Sequence, residues 1–266
     1  MQSYQWNARD YAASSSAQQG WARELIRKLE LKGSETLLDI GCGDGKVTAE
    51  IAACLSAGYV VGVDSSADMI ALAQSQYPAS AFSNLHFQRE DARSLPFRDE
   101  FSVVFSNATL HWVLDHRAVL RGIYLSLKHG GQALLQMGGR GNAADVIAAL
   151  DRLTEAHAWR GYFEKFSFPY GFYGPEEYQE WLRQAGLQAN RVELISKDMV
   201  HQDRAGFEAW IRTTWLPYTQ RVPEDKRDTF INQLADLYLD QHPADAFGQG
   251  LVHVGMVRLE VECVKP

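Results

Sequence analysis

The chain contains a short apolar run that ends beside an acidic residue and leads directly into three closely spaced glycines. The run is Thr36-Leu37-Leu38-Asp39-Ile40, and the glycines are Gly41, Gly43 and Gly45. An apolar run of this length indicates a parallel strand buried on both faces. Glycines directly after it indicate a turn whose backbone can approach a ligand closely, and amides at the start of the next helix can donate to an anionic group. The pattern predicts a nucleoside-binding α/β fold.

The spacing of these glycines distinguishes between kinds of nucleoside cofactor. A dinucleotide fingerprint places its third glycine five residues after the first, and that position is Lys46 here. The loop therefore favours S-adenosylmethionine over NAD. Asp39 is expected to accept hydrogen bonds from the ammonium group of that cofactor, with Gly41, Cys42 and Gly43 against its methionine part. For the loop taken alone, a glycine-rich turn without a ligand is the alternative.

Two further acidic residues close apolar runs along the chain. Asp64 follows Asp39 by 25 residues (64 − 39), about where a doubly wound fold places the carboxylate that binds a ribose diol. Asp91 ends a third run, and we expect its side chain to bind the adenine amine while the amide of Ala92 meets a ring nitrogen. Met69, in the helix after Asp64, is expected against the adenine face, although it also fits a place in the core.

Composition excludes several classes of function. A chain of 266 residues with 46% hydrophobic content can bury the core of one large α/β domain. The net charge of −7 argues against a nucleic-acid partner, because phosphate binding needs a basic stripe. Three cysteines without metal-ligand spacing fit a reducing cytoplasm. The polar start lacks a signal peptide, and no apolar run approaches the ~18 residues needed to cross a bilayer. We expect a cytoplasmic protein without a membrane partner.

Hydrophobic periodicity predicts a helix at 18–31 and then alternating strands and helices. Strands are predicted near 36–41, 58–64, 85–90, 101–106, 131–137, 191–197 and 251–264, and late helices near 204–215 and 224–241. The fold class is α/β, a Rossmann-like seven-stranded mostly parallel sheet with helices on both faces. We expect one domain over 1–266 with helical cap additions near 138–190 and 203–249. The helix before the fifth strand is predicted to end near Gly130.

An aromatic stretch lies within the first of these additions. Residues 162–173 contain seven aromatic side chains in twelve positions. Such a stretch can anchor a loop in the core, or it can form an apolar wall of a substrate pocket.

The fourth strand ends at Asn107, and two aromatic side chains follow one turn later. Four motifs and a dipeptide are informative together: Leu38-Asp39-Ile40-Gly41-Cys42-Gly43, Gly62-Val63-Asp64-Ser65-Ser66-Ala67-Asp68-Met69-Ile70, Asn107-Ala108-Thr109-Leu110-His111-Trp112, Asp115-His116 and Arg258-Leu259-Glu260-Val261-Glu262-Cys263-Val264-Lys265. Through these motifs the chain resembles class I S-adenosylmethionine-dependent methyltransferases, in the branch of trans-aconitate methyltransferase and the juvenile hormone acid methyltransferases. The resemblance implies O-methylation of a small-molecule carboxylic acid, with S-adenosylhomocysteine as product. The expected cofactor residues are Asp39, Gly41, Cys42, Gly43, Asp64, Ser65, Met69, Asp91, Ala92 and Asn107.

The resemblance also implies roles at the methyl acceptor. The amide of Gln18 and the indole N–H of Trp112 would hold the acceptor carboxylate, with Gln19 a rival for the first role and core packing the alternative for Trp112. His111 stands where the trans-aconitate enzyme is expected to have glutamine. It is either a wall residue or a general base, and a base would favour a phenol or another hydroxyl acceptor. A non-catalytic cofactor-binding module is a further alternative.

The remaining expectations concern the acceptor and metals. Trans-aconitate carries three carboxylates and would need several cations, but Arg140, Arg160 and Arg212 are spread along the chain among many aromatic residues. An apolar or aromatic monocarboxylic acid fits better.

The eight histidines do not cluster, so we expect no metal. The oligomeric state is left open.

Overall fold

The computed structural model describes residues 16–245 and 250–266, and for residues 16–19 it describes the backbone alone. These residues pack as two compact units. The sheet unit contains 16–140, 170–195 and 258–266, and the helical unit contains 141–169 and the described part of 196–257. Each unit is assembled from separate stretches of chain.

The elements alternate between strands and helices over the first half of the chain. The strands are β1 (Thr36–Ile40), β2 (Tyr59–Asp64), β3 (Leu85–Arg89), β4 (Phe101–Asn107), β5 (Leu127–Gly138), β6 (Gln188–His201) and β7 (Val252–Val264). The helices are α1 (Ser16–Lys28), α2 (Lys46–Cys54), α3 (Ala67–Gln76), α4 (His116–Ser126), α5 (Ala144–Glu155), α6 (Pro175–Ala185), α7 (Arg204–Thr214), α8 (Leu216–Thr219) and α9 (Glu224–Leu239). Short 3-10 turns lie at Leu110–Trp112 and Arg160–Tyr162. None of the helices in the described ranges is long and apolar enough to cross a membrane.

The strands form one seven-stranded sheet in the order β3-β2-β1-β4-β5-β7-β6. The pairs from β3 to β5 are parallel, and β7 runs antiparallel to β5. The predicted mostly parallel α/β sheet is therefore confirmed. The strand order reverses between β1 and β4, which is the position where an open parallel sheet leaves a crevice at its carboxyl edge.

Both faces of the sheet are covered, which explains the unbroken apolar runs. On one face Leu38 of β1 belongs to a buried cluster with Tyr178 of α6. On the other face Leu37 belongs to a second cluster with Leu25 of α1 and Ile51 of α2. Successive strand residues point to opposite faces, so consecutive leucines are both buried.

The helix before β5 ends earlier than predicted. Helix α4 stops at Ser126, whose hydroxyl donates to the carbonyl of Gly122 at 2.7 Å. Leu127 then pairs with Phe101 at the start of β5, and a register shift follows before Val103. The expectation of a helix reaching Gly130 is wrong, because strand pairing at this point replaces the helix.

The aromatic stretch at 162–173 is divided between the two units. In the helical unit, Phe163 stacks on Phe230 with ring centroids 5.7 Å apart, and Phe166 lies 4.6 Å from Tyr218. Residues 170–173 belong to the sheet unit instead. The first part of the stretch therefore anchors its loop in the core of the helical unit.

Candidate functional site

The glycine loop after β1 lies tightly against the turn that follows β4. Gly41 has φ +80°, and a Cβ there would come within 2.0 Å of Thr109 Cγ2. The Thr109 hydroxyl donates to the Gly41 carbonyl at 3.0 Å. In contrast, among the described residues other than its two chain neighbours, no atom lies within 4 Å of the position that a Cβ would take on Gly43. The loop is closed on the Thr109 side and open at Gly43, where a ligand has room to approach the backbone.

Asp39 is a nearly buried carboxylic acid at the end of β1. Its side chain is 2% exposed, and Oδ2 accepts a hydrogen bond from the Thr48 hydroxyl at 2.7 Å. Burial raises the pKa of Asp39 to about 7, opposed by the Thr48 bond and assisted by the charge of Asp64. A cationic group on a ligand would favour the ionised form. The site therefore fits the ammonium group of the expected cofactor.

Asp64 is held by the backbone at the end of β2. Its Oδ2 accepts from the Gly43 amide at 3.1 Å, and Oδ1 accepts from the Ser66 amide at 2.9 Å. Burial raises the pKa of Asp64 even though these amide bonds lower it. A carboxylate can accept about four hydrogen bonds, so the orientation leaves capacity for a diol. The neighbouring Ser65 is exposed, and its carbonyl accepts from Arg89 at 2.9 Å.

Asp91 has a partner that the sequence reasoning missed. Arg93 makes a bidentate ion pair with it, with 2.5 Å from Nη2 to Oδ2 and 2.9 Å from Nε to Oδ1. The hydrogen bonds from Arg93 hold the pKa of Asp91 below its usual value. Any adenine amine would share this carboxylate with the guanidinium. Ala92, the next residue, is half-buried, and Met69 on α3 is 4% exposed.

The end of β4 carries an unsatisfied acceptor and a strained residue. Asn107 Oδ1 is buried and has no hydrogen-bond partner among the residues that the structure describes. Ala108 has φ +54°, and its amide donates to the Gln136 carbonyl at 2.8 Å. Left-handed strain in a residue with a side chain recurs at ligand-binding sites. The Asn107 amide oxygen fits a hydrogen-bond donor on the cofactor, and an ammonium group supplies one.

His111 is buried and points one ring nitrogen at the backbone. Its Nδ1 accepts the Gly138 amide at 3.3 Å, so the ring hydrogen lies on Nε2. Desolvation and the nearby positive charge of Arg258 lower the pKa of His111 to about 3. The ring is therefore neutral near neutral pH and presents a donor at Nε2.

His111 and Trp112 form an aromatic cluster with two residues of the stretch identified in the sequence. Tyr170 and Phe172 stack at 5.2 Å, Trp112 lies 5.0 Å from Tyr170, and His111 lies 5.9 Å from Phe172, measured between ring centroids. The Gly171 amide donates to the His111 carbonyl at 2.8 Å, which attaches the loop to the turn. The sequence placed His111 and Trp112 together but did not identify which aromatic residues would meet them.

The remaining residues predicted from the sequence are Gln18, its rival Gln19, and Cys42. Gln18 lies in α1, but its side chain, like that of Gln19, is outside the described residues. Cys42 is 7% exposed, and burial raises the pKa of its thiol well above the ordinary value, which fits a small packing residue and not a nucleophile.

The candidate cations are mostly committed to ion pairs. Arg140 binds Glu177 at 2.7 Å and Glu176 at 3.1 Å. Arg212 lies 3.0 Å from Asp228. Arg160 is exposed in the helical unit.

Known proteins similar to this chain share its architecture. The methyltransferase domain family matches residues 37–131. The trans-aconitate 2-methyltransferase of Deinococcus radiodurans is 30% identical over 223 residues, covering 82% of this chain and 83% of that protein. Among solved structures, the YcgJ protein of Bacillus subtilis superposes with a TM-score of 0.65 at 21% identity, covering 93% of this chain and 98% of that one. Phosphoethanolamine N-methyltransferase 2 of Haemonchus contortus, in complex with S-adenosyl-L-methionine, gives a TM-score of 0.61 at 19% identity, covering 97% of this chain and 56% of that one.

Proposed function

The chain belongs to the S-adenosylmethionine-dependent methyltransferases, and we propose that it methylates a carboxylate oxygen of a small apolar or aromatic acid. When bound, the cofactor supplies a methyl group on a sulfonium, and transfer to a carboxylate oxygen breaks the carbon–sulfur bond with its electron pair left on sulfur. A carboxylate is already ionised near neutral pH, so the protein need only position it and exclude water.

This proposal rests on the protonation state of His111. A phenol or alcohol must lose a proton when it attacks, and that proton needs a base with a suitable pKa. His111 is the histidine beside Trp112, and its pKa of about 3 and its Nδ1 bond to the Gly138 amide leave it a weak base. An acceptor that needs no base agrees with this geometry.

The cofactor contacts follow the strand ends. We propose that Asp39 and Asn107 accept from the ammonium group and that Asp64 accepts from the ribose hydroxyls. The residues proposed around the methionine part and the adenine are Gly41, Cys42, Gly43, Ser65, Met69, Asp91 and Ala92. No step of methyl transfer requires any of these groups to exchange a proton.

Neutral donors would hold the acceptor carboxylate. The indole N–H of Trp112 and the Nε2–H of His111 lie on the same 3-10 turn, and the Gln18 amide is the third donor that we propose. Neutral donors orient an anion without the strong ion pair that would reduce the nucleophilicity of its oxygen.

The body of the acceptor should be apolar. The aromatic rings beside Trp112 offer contact area to a flat or aliphatic molecule and exclude water from the carboxylate. The resemblance to trans-aconitate 2-methyltransferases supports an acid as acceptor. A tricarboxylate is less suited, because Arg140 and Arg212 are engaged with carboxylates of the protein itself.

A labelled-methyl assay tests the acceptor class. Purified protein is incubated with S-adenosylmethionine labelled in the methyl group and with matched sets of acceptors. Each set contains an aromatic or aliphatic acid, its primary alcohol, its amine and a phenol of similar size, and trans-aconitate is added as a separate acid. Mild alkali then distinguishes the products, because a methyl ester releases volatile labelled methanol whereas an ether or a methylamine does not.

We expect base-labile product from apolar acids, with little from the matched alcohols, amines and phenols. Base-stable product from a phenol or an amine, with none from any acid, contradicts the proposal. The structural similarity to an N-methyltransferase makes the amine arm informative, because the fold by itself leaves the acceptor atom open.

A further inference from the structure

His116 has a hydrogen-bond partner on each ring nitrogen and is almost completely buried. Its Nε2 lies 2.9 Å from the Leu110 carbonyl oxygen, its Nδ1 lies 2.5 Å from the Tyr178 hydroxyl, and the residue is 1% exposed. A carbonyl oxygen only accepts, so Nε2 carries the hydrogen and Nδ1 accepts from the hydroxyl. Desolvation lowers the pKa of His116 to about 4, which keeps the ring in this neutral arrangement near neutral pH.

The carbonyl that His116 binds belongs to the 3-10 turn of His111 and Trp112. Within this turn the Val113 amide also donates to the Leu110 carbonyl, at 2.9 Å. Such turns have poorer hydrogen-bond geometry than an α-helix, so bonds from outside contribute more to their position. The turn follows Ala108, whose backbone is in the left-handed region. A hydrogen bond from outside the turn therefore contributes more to holding the turn in place.

The hydroxyl that orients His116 is itself fixed in the sheet unit. Tyr178 on α6 is 0% exposed, and its oxygen lies 3.1 Å from the Met137 sulfur in β5. Tyr173 packs edge-on against the His116 ring at 4.7 Å between centroids. Helix α6 is thereby connected to the turn through the imidazole of His116, because the one hydrogen of the Tyr178 hydroxyl is donated to Nδ1.

We infer that His116, oriented by Tyr178, is a positioning residue that fixes the turn carrying His111 and Trp112 for methyl transfer. The inference rests on the proposed role of that turn at the acceptor. Both ring nitrogens of His116 are bonded within the protein, so the residue acts through the turn and not on the acceptor.

Two substitutions of His116 distinguish the hydrogen bond made by Nε2 from the one made by Nδ1. A glutamine nitrogen reaches about as far from the backbone as Nε2, so His116→Gln can keep the donor to the Leu110 carbonyl. An asparagine ends near the place of Nδ1, so His116→Asn loses that donor. The matched control is His86→Asn on the exposed face of β3. Tyr178→Phe is a second test that leaves the histidine in place.

The first readout is hydrogen exchange, which needs no acceptor. The amides of Val113 and Gly171 report on the turn, because they donate to the Leu110 and His111 carbonyls. Both amides should exchange faster in His116→Asn than in His116→Gln, and Tyr178→Phe should also make them exchange faster.

The second readout is kcat/KM on the most rapidly methylated compound of the acceptor panel. It should fall roughly tenfold in His116→Asn and less in His116→Gln, while the affinity for S-adenosylhomocysteine holds.

Unchanged exchange at Val113 and Gly171 in both His116→Asn and Tyr178→Phe would overturn the inference. Faster exchange with unchanged kcat/KM would also overturn it, because His116 would then support the fold alone. If the wild type methylates a phenol or an amine and no acid, the proposed acceptor class is wrong. The same variants are then assayed on that compound, where the inference requires the same order of kcat/KM.

Discussion

At the scale of single residues, the ionisation of Asp39 links cofactor binding to pH. The pKa of this carboxyl is raised to about 7 by burial in the free protein, so a growing fraction is protonated below that pH. If the ionised form binds the ammonium group of S-adenosylmethionine, affinity must fall as the pH falls through the raised pKa. Relative to a variant without this carboxylate, we expect the dissociation constant to increase roughly tenfold between about pH 8 and about pH 6.

The matched control separates Asp39 from other titrating groups. Asp39→Asn should bind more weakly and lose this pH dependence, whereas Asp68→Asn, exposed on α3, should retain both properties of the wild type. Titration calorimetry measures the affinities. The amine of the cofactor titrates equally with every protein, so the ratio to Asp39→Asn isolates the carboxylate. A ratio that is constant with pH would show that Asp39 does not bind the ammonium group.

Residues whose position depends on a local pattern could be predicted from the sequence. Asp39 and Asp64 were recognisable because each closes a buried strand at the carboxyl edge of the sheet. The pairing of Asp91 with Arg93 depends on how the turn folds between them, which apolar periodicity does not specify. The hydrogen position on His111 depends on an amide 27 residues further along the chain, and only the folded structure brings the two together.

At the scale of elements, the glycine loop offers a matched pair of substitutions. Gly41 and Gly43 both have positive φ, but only a Cβ on Gly41 would collide with Thr109. A left-handed conformation costs an alanine ~1–2 kcal/mol in either place. Gly41→Ala should therefore lower the melting temperature more than Gly43→Ala, measured by thermal unfolding without ligand.

The pair also tests the placement of the cofactor. The open space at Gly43 is where we place the methionine part, so Gly43→Ala should weaken S-adenosylmethionine binding more than its modest effect on stability suggests. Equal melting temperatures for the two variants would contradict the close contact with Thr109. Undiminished affinity in Gly43→Ala would place the cofactor elsewhere.

The boundaries of α4 and β5 show where pattern reasoning stops at the element scale. The apolar residues around Leu127 suit a helix as well as a strand, and a glycine at 130 resembles a helix end. Pairing of Leu127 with Phe101 decides in favour of a strand. Such pairing is a long-range interaction, so a local window of sequence does not contain it.

At the scale of the whole molecule, the elements of both units were predictable, whereas the packing of the helical unit was not. Its late helices were predicted near 204–215 and 224–241, and the structure has them at Arg204–Thr214 and Glu224–Leu239. The strands of the sheet unit alternate with helices as the hydrophobic pattern predicts, and they form the order β3-β2-β1-β4-β5-β7-β6. The helical unit is drawn from separate stretches of chain and is packed through rings such as Phe163 on Phe230. Contacts of that kind leave no periodic signal in the sequence.

Methyl transfer by the whole protein should not depend on a metal ion. A carboxylate acceptor is already ionised near neutral pH, so it needs no metal ion to lower its pKa. Both nitrogens of His116 and one of His111 are engaged within the protein. We expect the rate of methyl transfer to survive dialysis against EDTA. Loss of turnover that magnesium restores would instead indicate an acceptor chelated by a metal.

The most direct test of carboxylate methylation compares kcat/KM of Trp112→Phe and His111→Gln on the acid that gives the most base-labile product. Trp112→Phe keeps the ring but removes one donor to a charged oxygen, worth ~1.5–3 kcal/mol, so kcat/KM should fall roughly 10- to 100-fold. His111→Gln should cost no more than about threefold, because a glutamine amide also donates. At saturating S-adenosylmethionine, where the titration of Asp39 does not limit the rate, no histidine inflection should appear in the wild-type pH profile, since the pKa of His111 is about 3. The opposite order, with His111→Gln inactive and Trp112→Phe nearly normal, would contradict the account and make the histidine the base.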